Sequence, residues 1–311
     1  MPKPIKGYKA YNKGLICKGV KFEENKIYET PEAKVCEKGF HLCINPLDVL
    51  NYYDLIDSEF TEAEALGKID RHKEDSKIAT TKIKIGAKLS LKAFIEASVN
   101  FLLEVTKNKK TESGDFAQIG SSGYSAQIGS SGDFAKIGSS GYSAKIGSSG
   151  YSAKIGSSGY SAQIGSSGDF AQIGSSGDSA KIGSSGYSAK IGSSGDSAKI
   201  GSSGYSAKIG SSGYSAQIGS SGDSAQIGSS GDSAQIELNG QDSVGAGIGL
   251  DTKIKGKKGN WITLAEWKYD DEKKRYVPIC VKSAQIDGEI IKEDTFYMLK
   301  DSKFTEVING N

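Results

Sequence analysis

The chain has 311 residues, of which 36% are hydrophobic and 24% charged, and its formal net charge is +2. This near-neutral balance removes any general argument for a nucleic-acid footprint, and no run approaches the roughly 18 apolar residues of a membrane span. Glycine is in excess: there are 41 against a usual share of about 7%, and 27 of them fall in one tract that repeats every nine residues.

The start, Met1-Pro2-Lys3-Pro4-Ile5, is basic with no apolar stretch behind it, unlike a secretory signal. Cys17, Cys36, Cys43 and Cys280 include no CxxC spacing, which argues against zinc and redox motifs. Three cysteines in the first domain fit free thiols in a reducing, cytoplasmic compartment and leave a Cys36–Cys43 bridge open.

Extended segments are expected at residues 5–11, 21–28, 39–43, 60–69 and 77–85. Asn45-Pro46-Leu47-Asp48 reads as a helix start, with Asn45 as N-cap and Pro46 at the first helical position. Ser90 begins a second helix, whose Leu91, Phe94, Ile95, Ser98, Phe101, Leu102 and Val105 keep a 3–4 periodicity. Together these elements predict a small α+β domain over residues 1–110. Its last helix, or the polar link at 106–113, is expected to cover the first coil of the repeat tract.

The two histidines are His41 and His72, too few for a zinc site. His41 and Cys43 share a strand face but are too far apart to form a nucleophilic dyad. His72 lies in a charged loop and is expected to be solvated. Tyr8 and Tyr11, Gly39-Phe40-His41, Tyr52-Tyr53 and Glu62/Glu64 loosely resemble the layout of ADP-ribosyltransferase-like domains, which would imply an aromatic-lined nicotinamide pocket with a late glutamate.

From Gly114 to Ile236 the chain repeats as G-(D/Y)-(S/F)-A-(Q/K)-I-G-S-S, with isoleucine at every ninth residue from 119 to 236, fourteen copies in all. Alanine stands two residues before each isoleucine, so Ala126 and Ile128 share one side of a strand while Ser125 and Gln127 take the other. Gly-Ser-Ser-Gly reads as turn composition. Repeated glycine, and the absence of any 3.6-residue period, exclude helix. One such strand cannot bury its own face, whereas stacked copies can. The predicted form is a two-sheet β-solenoid of about 18 residues per coil, with seven coils and a thin core of Ile and Ala. Phe116, Phe134 and Phe170 replace the usual serine at separations of 18 and 36, which places them in one column of such a coil.

Aspartate and tyrosine share one repeat position, seven copies each, and lysine and glutamine share another in the same ratio. A position that accepts a carboxylate or a phenol is expected at an exposed corner. The outward ladders supply the candidate binding residues: Tyr124, Tyr142, Tyr160, Lys145, Lys181 and Lys199. Calcium-binding β-rolls present carboxylates in every copy, whereas aspartate is missing from half of these. The tract has no threonine row of an ice-binding solenoid and no phosphate-binding P-loop. Interleaved Asp argues against stacking on single-stranded nucleic acid. Catalysis needs one non-repeated constellation, and the tract has none. No catalytic residue, metal site or cofactor is therefore assigned.

The repeat degrades at residues 237–244, where one residue reads as inserted, and 245–254 continue as irregular last coils. The solenoid is accordingly placed at 111–250 and a β-rich cap at 251–311. Trp261 and Trp267 are six apart, hence on one face of an unbroken strand, and core packing is the expected role of both.

Gly7-Tyr8-Lys9-Ala10, Lys38-Gly39-Phe40-His41-Leu42-Cys43, the run from Asn45 to Tyr53 and Asp75-Ser76-Lys77-Ile78 resemble an uncharacterised N-terminal domain of bacteriophages and their Firmicute-type hosts. Members resemble this chain in carrying Gly-Asp-x-Ser-Ala-type repeats and a segment like Trp261–Glu266. The resemblance implies a source and an architecture and brings no catalytic residue. The uniform rod favours a non-enzymatic phage-associated scaffold, and the free-thiol pattern with no export signal favours binding of a host or phage protein in the host cytoplasm, with inhibition of a host defence system as one such role. The alternatives are a structural spacer in a phage particle and a NAD-binding ADP-ribosyltransferase-like enzyme. No membrane partner is expected, and homo-oligomerisation is left open.

Overall fold

The computed structural model describes residues 4–73, 75–106 and 114–307. The chain divides into two units, Met1–Lys110 and Thr111–Asn311.

In the first unit the strands are β1 (Ile5–Tyr11), β2 (Ile16–Cys17), β3 (Val20–Lys21), β4 (Ile27–Glu29), β5 (Phe40–Cys43), β6 (Glu59–Ala65), β7 (Ile69–Arg71), β8 (Lys77–Thr80) and β9 (Lys82–Leu89). Seven of them form one antiparallel sheet in the order β4-β9-β6-β1-β5-β8-β7, and β2 and β3 form a separate hairpin. The segment expected to be extended at 60–69 breaks into β6 and β7, and the one at 77–85 into β8 and β9.

Asn45 caps a 3-10 helix, Pro46–Asn51, accepting the Leu47 N–H on its side chain. Ser90 caps α1 (Leu91–Thr106) by accepting the Ala93 N–H at 3.2 Å. Both helices pack on one sheet face, where Phe60 and Phe94 stack with centroids 4.0 Å apart. The other face buries Tyr11, Phe22, Leu42, Ile83 and Ile85. The polar link expected to lead to the first coil lies at 107–113, outside the described residues, apart from Thr106, which ends α1.

In the second unit sixteen four-residue strands, β10 (Gln118–Ser121) to β25 (Lys253–Gly256), recur at nine-residue intervals. Even-numbered strands build a first parallel sheet and odd-numbered strands a second, each strand pairing with the next but one, as in Ile137↔Ile155 and Ile146↔Ile164. The 18-residue coil is therefore the repeating unit, and there are eight coils. Phe116, Phe134 and Phe170 occupy one column, and the first two rings stack at 5.1 Å.

Two details depart from the sequence reading. The strands run Lys/Gln-Ile-Gly-Ser, so glycine and the first serine belong to the strand and only Ser-Gly-(Asp/Tyr)-(Ser/Phe) turns. Inter-coil hydrogen bonding outweighs turn composition here, and the first serine alternates inward with isoleucine: Ser139, Ser157, Ser175 and Ser193 are fully buried. Isoleucine still dominates the core, at about 1.5–3 kcal/mol per buried side chain.

The second departure concerns the end of the repeat. No residue is inserted at 237–244. Ile227 pairs with Gly245, and Ile236 with Ile254, each one full coil further along. The eighth coil, with β23 (Gln235–Leu238) below and β24 (Val244–Gly247) and β25 within it, is regular. The break in register comes later, where Val244 pairs with Trp261, one position short of a full coil.

β26 (Trp261–Asp270) continues the first sheet in parallel and then pairs antiparallel with β27 (Arg275–Gln285). The second sheet ends on β28 (Tyr297–Lys300), antiparallel to β25, followed by β29 (Lys303–Glu306). Antiparallel pairing ends the parallel stacking. Asn260, fully buried, completes it by donating to the carbonyls of Leu238 and Gly240 and accepting the Ser243 N–H.

The pairing of β26 with β27 shifts register between Glu266 and Trp267, which breaks the alternation assumed for the two tryptophans. Trp261 is 49% exposed and is not a core residue. Trp267 is half-buried and donates its indole N–H to the Ile248 carbonyl at 2.9 Å.

Candidate functional site

The six candidate binding residues lie on the second solenoid sheet or on the corner leading into it. Lys145, Lys181 and Lys199 share one outward column with Gln127, Gln163, Gln217 and Gln235. Tyr124, Tyr142 and Tyr160 share the preceding corner and stack face to face, with centroids 5.1 Å apart at both steps. All three rings are exposed. The column then changes: Asp178 and Asp196 take the next two places.

The corner peptide changes with it. Ser143 and Ser161 donate their N–H back to the tyrosine carbonyl of the preceding coil, whereas Ser179 and Ser197 donate forward to the next coil and hold φ near +55°. A backbone switch thus coincides with the end of the tyrosine stack.

Aspartate at the corner has a structural role that its alternation with tyrosine concealed. Asp115, Asp133, Asp169, Asp178, Asp196, Asp223 and Asp232 each accept, on Oδ1, the backbone N–H of the residue 18 positions on, at 2.7–3.0 Å. The carboxylates therefore tie coil to coil. The sequence signal for this was present: all seven occupy the residue after the corner glycine.

Glycines of the repeat divide into two kinds. A Cβ on Gly195 would collide with the carbonyl oxygen of Gly177, and the corner glycines from Gly132 to Gly249 are equally close-stacked. On the second sheet, Gly129, Gly147, Gly165, Gly183, Gly201 and Gly219 point outward, and a Cβ there would meet nothing within 4 Å. These six form the floor of an open trough of about 920 Å³ between the Lys/Gln column and the serines. A second depression of about 1020 Å³ runs beside it along Ser148, Ser166, Ser184 and Ser202. The trough is uniform along its length and has no single reactive constellation.

The first unit contains a cavity of about 420 Å³, lined by residues that include Tyr8, Lys9, Cys17, Cys36, Phe40, His41, Cys43, Tyr52, Tyr53 and Lys77. It gathers Tyr8, Phe40, His41, Tyr52 and Tyr53 from the set that resembles ADP-ribosyltransferases, but not Tyr11, Glu62 or Glu64. Tyr11 is fully buried against Thr61, and Glu62 points to solvent.

His41 accepts the Cys36 N–H on Nε2 at 3.0 Å, and burial with nearby lysine charge pushes its pKa down to about 4. The ring is neutral near pH 7. Burial pushes the Cys43 thiol up, which leaves it inert as a nucleophile. All four cysteines are free, so no Cys36–Cys43 bridge forms. His72 is not simply solvated: its Nδ1 lies 2.9 Å from Asp75 Oδ1.

Burial holds the Lys9 ammonium below the usual lysine range. Its Nζ reaches Cys17 Sγ at 3.5 Å and the His41 carbonyl at 3.3 Å, and it lies 5.1 and 5.3 Å from the Tyr11 and Phe22 rings. The Tyr53 hydroxyl donates to the same sulfur at 3.2 Å. Sequence reasoning missed Cys17 and Lys9, because nothing in their spacing places them together. Among the described residues no group of three His, Cys, Asp or Glu side chains is arranged to hold a metal, and no helix is long and apolar enough to cross a membrane.

No curated protein and no solved structure matches the chain. Residues 5–97 match the family model described as a domain of unknown function, DUF7666. The chain is thus a DUF7666 domain at the N-terminus joined to a β-solenoid.

Proposed function

We propose that the chain is a non-enzymatic scaffold that binds a protein along the outward face of its second solenoid sheet. The outward glycine row is the observation that supports this reading. Glycine weakens a strand by about 0.5–1 kcal/mol relative to alanine, and six successive coils carry it where a Cβ would meet nothing. The fold does not require these glycines. They keep a face flat enough for another backbone to approach closely. Lys145, Lys181 and Lys199 border that face and have no carboxylate ion-pair partner among the described residues, so the partner surface is acidic. The stacked Tyr124, Tyr142 and Tyr160 supply rigid aromatic contact at its edge.

Two finer points are part of the proposal, the source from the sequence resemblance and the cytoplasmic partner from the free-thiol pattern and the basic, non-apolar start. The source is a bacteriophage or a Firmicute-type host, and the partner is a host or phage protein met in the cytoplasm, where binding inhibits a defence system. A uniform rod also suits a spacer in a phage particle, which predicts copies in purified virions.

The test is affinity capture with the full chain beside a variant carrying Gly165→Val, Gly183→Val and Gly201→Val. The valines fill the trough without touching the core. Loss of the captured partner with an unchanged circular dichroism spectrum supports the reading, and full retention overturns it. A triple Lys145→Glu, Lys181→Glu, Lys199→Glu variant reports the electrostatic share.

A further inference from the structure

The cavity of the N-terminal domain has no role in the scaffold reading. Three separate elements converge there on one sulfur: Lys9 on β1, Cys17 on β2, and Tyr53 just after the 3-10 helix. Tyr53 donates to Cys17 Sγ at 3.2 Å and Lys9 at 3.5 Å, so the sulfur is an acceptor twice over. Lys9 is 5% exposed and has no carboxylate ion-pair partner among the described residues. An unpaired buried ammonium is costly. Its polar contacts are the Cys17 sulfur and the His41 carbonyl, which places the ammonium directly against the sulfur. Cys17 itself is half-buried and lines the cavity.

We propose that Cys17 is a peroxide-reactive thiol, with Lys9 as proton donor to the leaving oxygen and Tyr53 as the group that holds the sulfur. In the step, the Cys17 thiolate attacks one oxygen of the peroxide. The S–O bond forms as the O–O bond breaks, and the displaced hydroxide takes a proton from the Lys9 ammonium to leave as water. Sulfur is oxidised by two electrons to the sulfenic acid, and the peroxide is reduced by two. Burial makes Lys9 a readier acid than a surface lysine. Attack therefore needs no proton from bulk water. Cys36 lines the same cavity and gives the sulfenic acid a thiol with which to condense.

The test uses the full, freshly reduced chain. Hydrogen peroxide is added with dimedone, and peptide mass spectrometry follows labelling at each cysteine. Cys17 is expected to react at least about 100-fold faster than the exposed Cys36 or the half-buried Cys280, the low end of what a positioned acid contributes. Equal or slower reaction at Cys17 overturns the proposal. Lys9→Arg keeps a cation beside the sulfur but removes a usable proton, since guanidinium does not deprotonate in proteins. It should slow peroxide oxidation by about 100-fold yet leave iodoacetamide alkylation of Cys17 nearly unchanged, because iodide departs without a proton. Equal slowing of both reactions removes Lys9 as the proton donor. Tyr53→Phe gives an independent check and should slow both reactions alike; no change in either removes its role. The wild-type ranking of the four cysteines stands even if a variant fails to fold.

Discussion

Leu238 and Gly245 exchange volume across the solenoid core. Leu238 takes the place of an inward serine, Gly245 takes the place of an isoleucine, and a Cβ on Gly245 would lie 3.0 Å from Leu238 Cδ1. Gly245→Ile alone overpacks the coil and should cost about 1–3 kcal/mol. Leu238→Ser alone leaves a void and should cost about 2–5 kcal/mol. The double variant restores the composition of the preceding coils, so its cost should fall well below the sum. Denaturant titration of the four proteins measures the coupling. Simple additivity would show that the two side chains do not share one space.

Gly195 and Gly201 stand on the same repeat and should respond oppositely to alanine. At Gly195 the new Cβ runs into the Gly177 carbonyl, backbone that has no room to move between stacked coils. A loss of about 1–3 kcal/mol or more is expected. At Gly201 nothing lies within 4 Å, and alanine should stabilise by about 0.5 kcal/mol through the unfolded chain. Thermal melts of the two variants decide it.

Asp196 accepts the Tyr214 N–H at 2.8 Å. Asp196→Ala removes that acceptor and should cost about 1 kcal/mol, while Asp196→Asn keeps an acceptor and should cost less. Hydrogen exchange at the Tyr214 amide should rise sharply in the alanine variant and little in the asparagine one. Equal protection in both would show that the inter-coil bond contributes nothing.

The neutral state of His41 makes the N-terminal domain acid-sensitive in a defined window. Its folded pKa, about 4, lies below the ordinary value of 6.5, so unfolding takes up a proton between the two. Its contribution is fully present above about pH 6.5, is lost progressively as pH falls toward 4, and is constant below that. Asp75, whose burial is outweighed by hydrogen bonds that hold it below the usual carboxylate range, loses its contribution only under more acidic conditions, below about pH 3.8. Hydrogen exchange over residues 5–97 of the full chain, at pH 7 and pH 4.8, should show less protection at the lower pH. His41→Gln should flatten that difference.

Periodicity alone determined the solenoid. An alanine and an isoleucine two residues apart, fourteen times at a spacing of nine, leave stacked strands as the way to bury that face, and the phenylalanine spacing pointed to the two-strand coil. The caps Asn45 and Ser90 were equally legible, because a helix start is a local event. Other features depended on contacts between residues far apart in the chain. That the first serine faces the core follows from inter-coil hydrogen bonding, which turn composition does not record. That aspartate ties coils together follows from a neighbour in the next coil. The eighth coil read as an insertion because Gly245 and Leu238 break the pattern separately and restore it only when packed against each other. Lys9, Cys17 and Tyr53 stand on three different elements, and only the folding of the hairpin and the 3-10 helix over β1 brings them to one sulfur. The sequence specified a rod because every coil repeats the same local combination of Ile burial and close-packed glycine; where a residue's partner is set by the fold rather than by the repeat, tertiary structure decided its role.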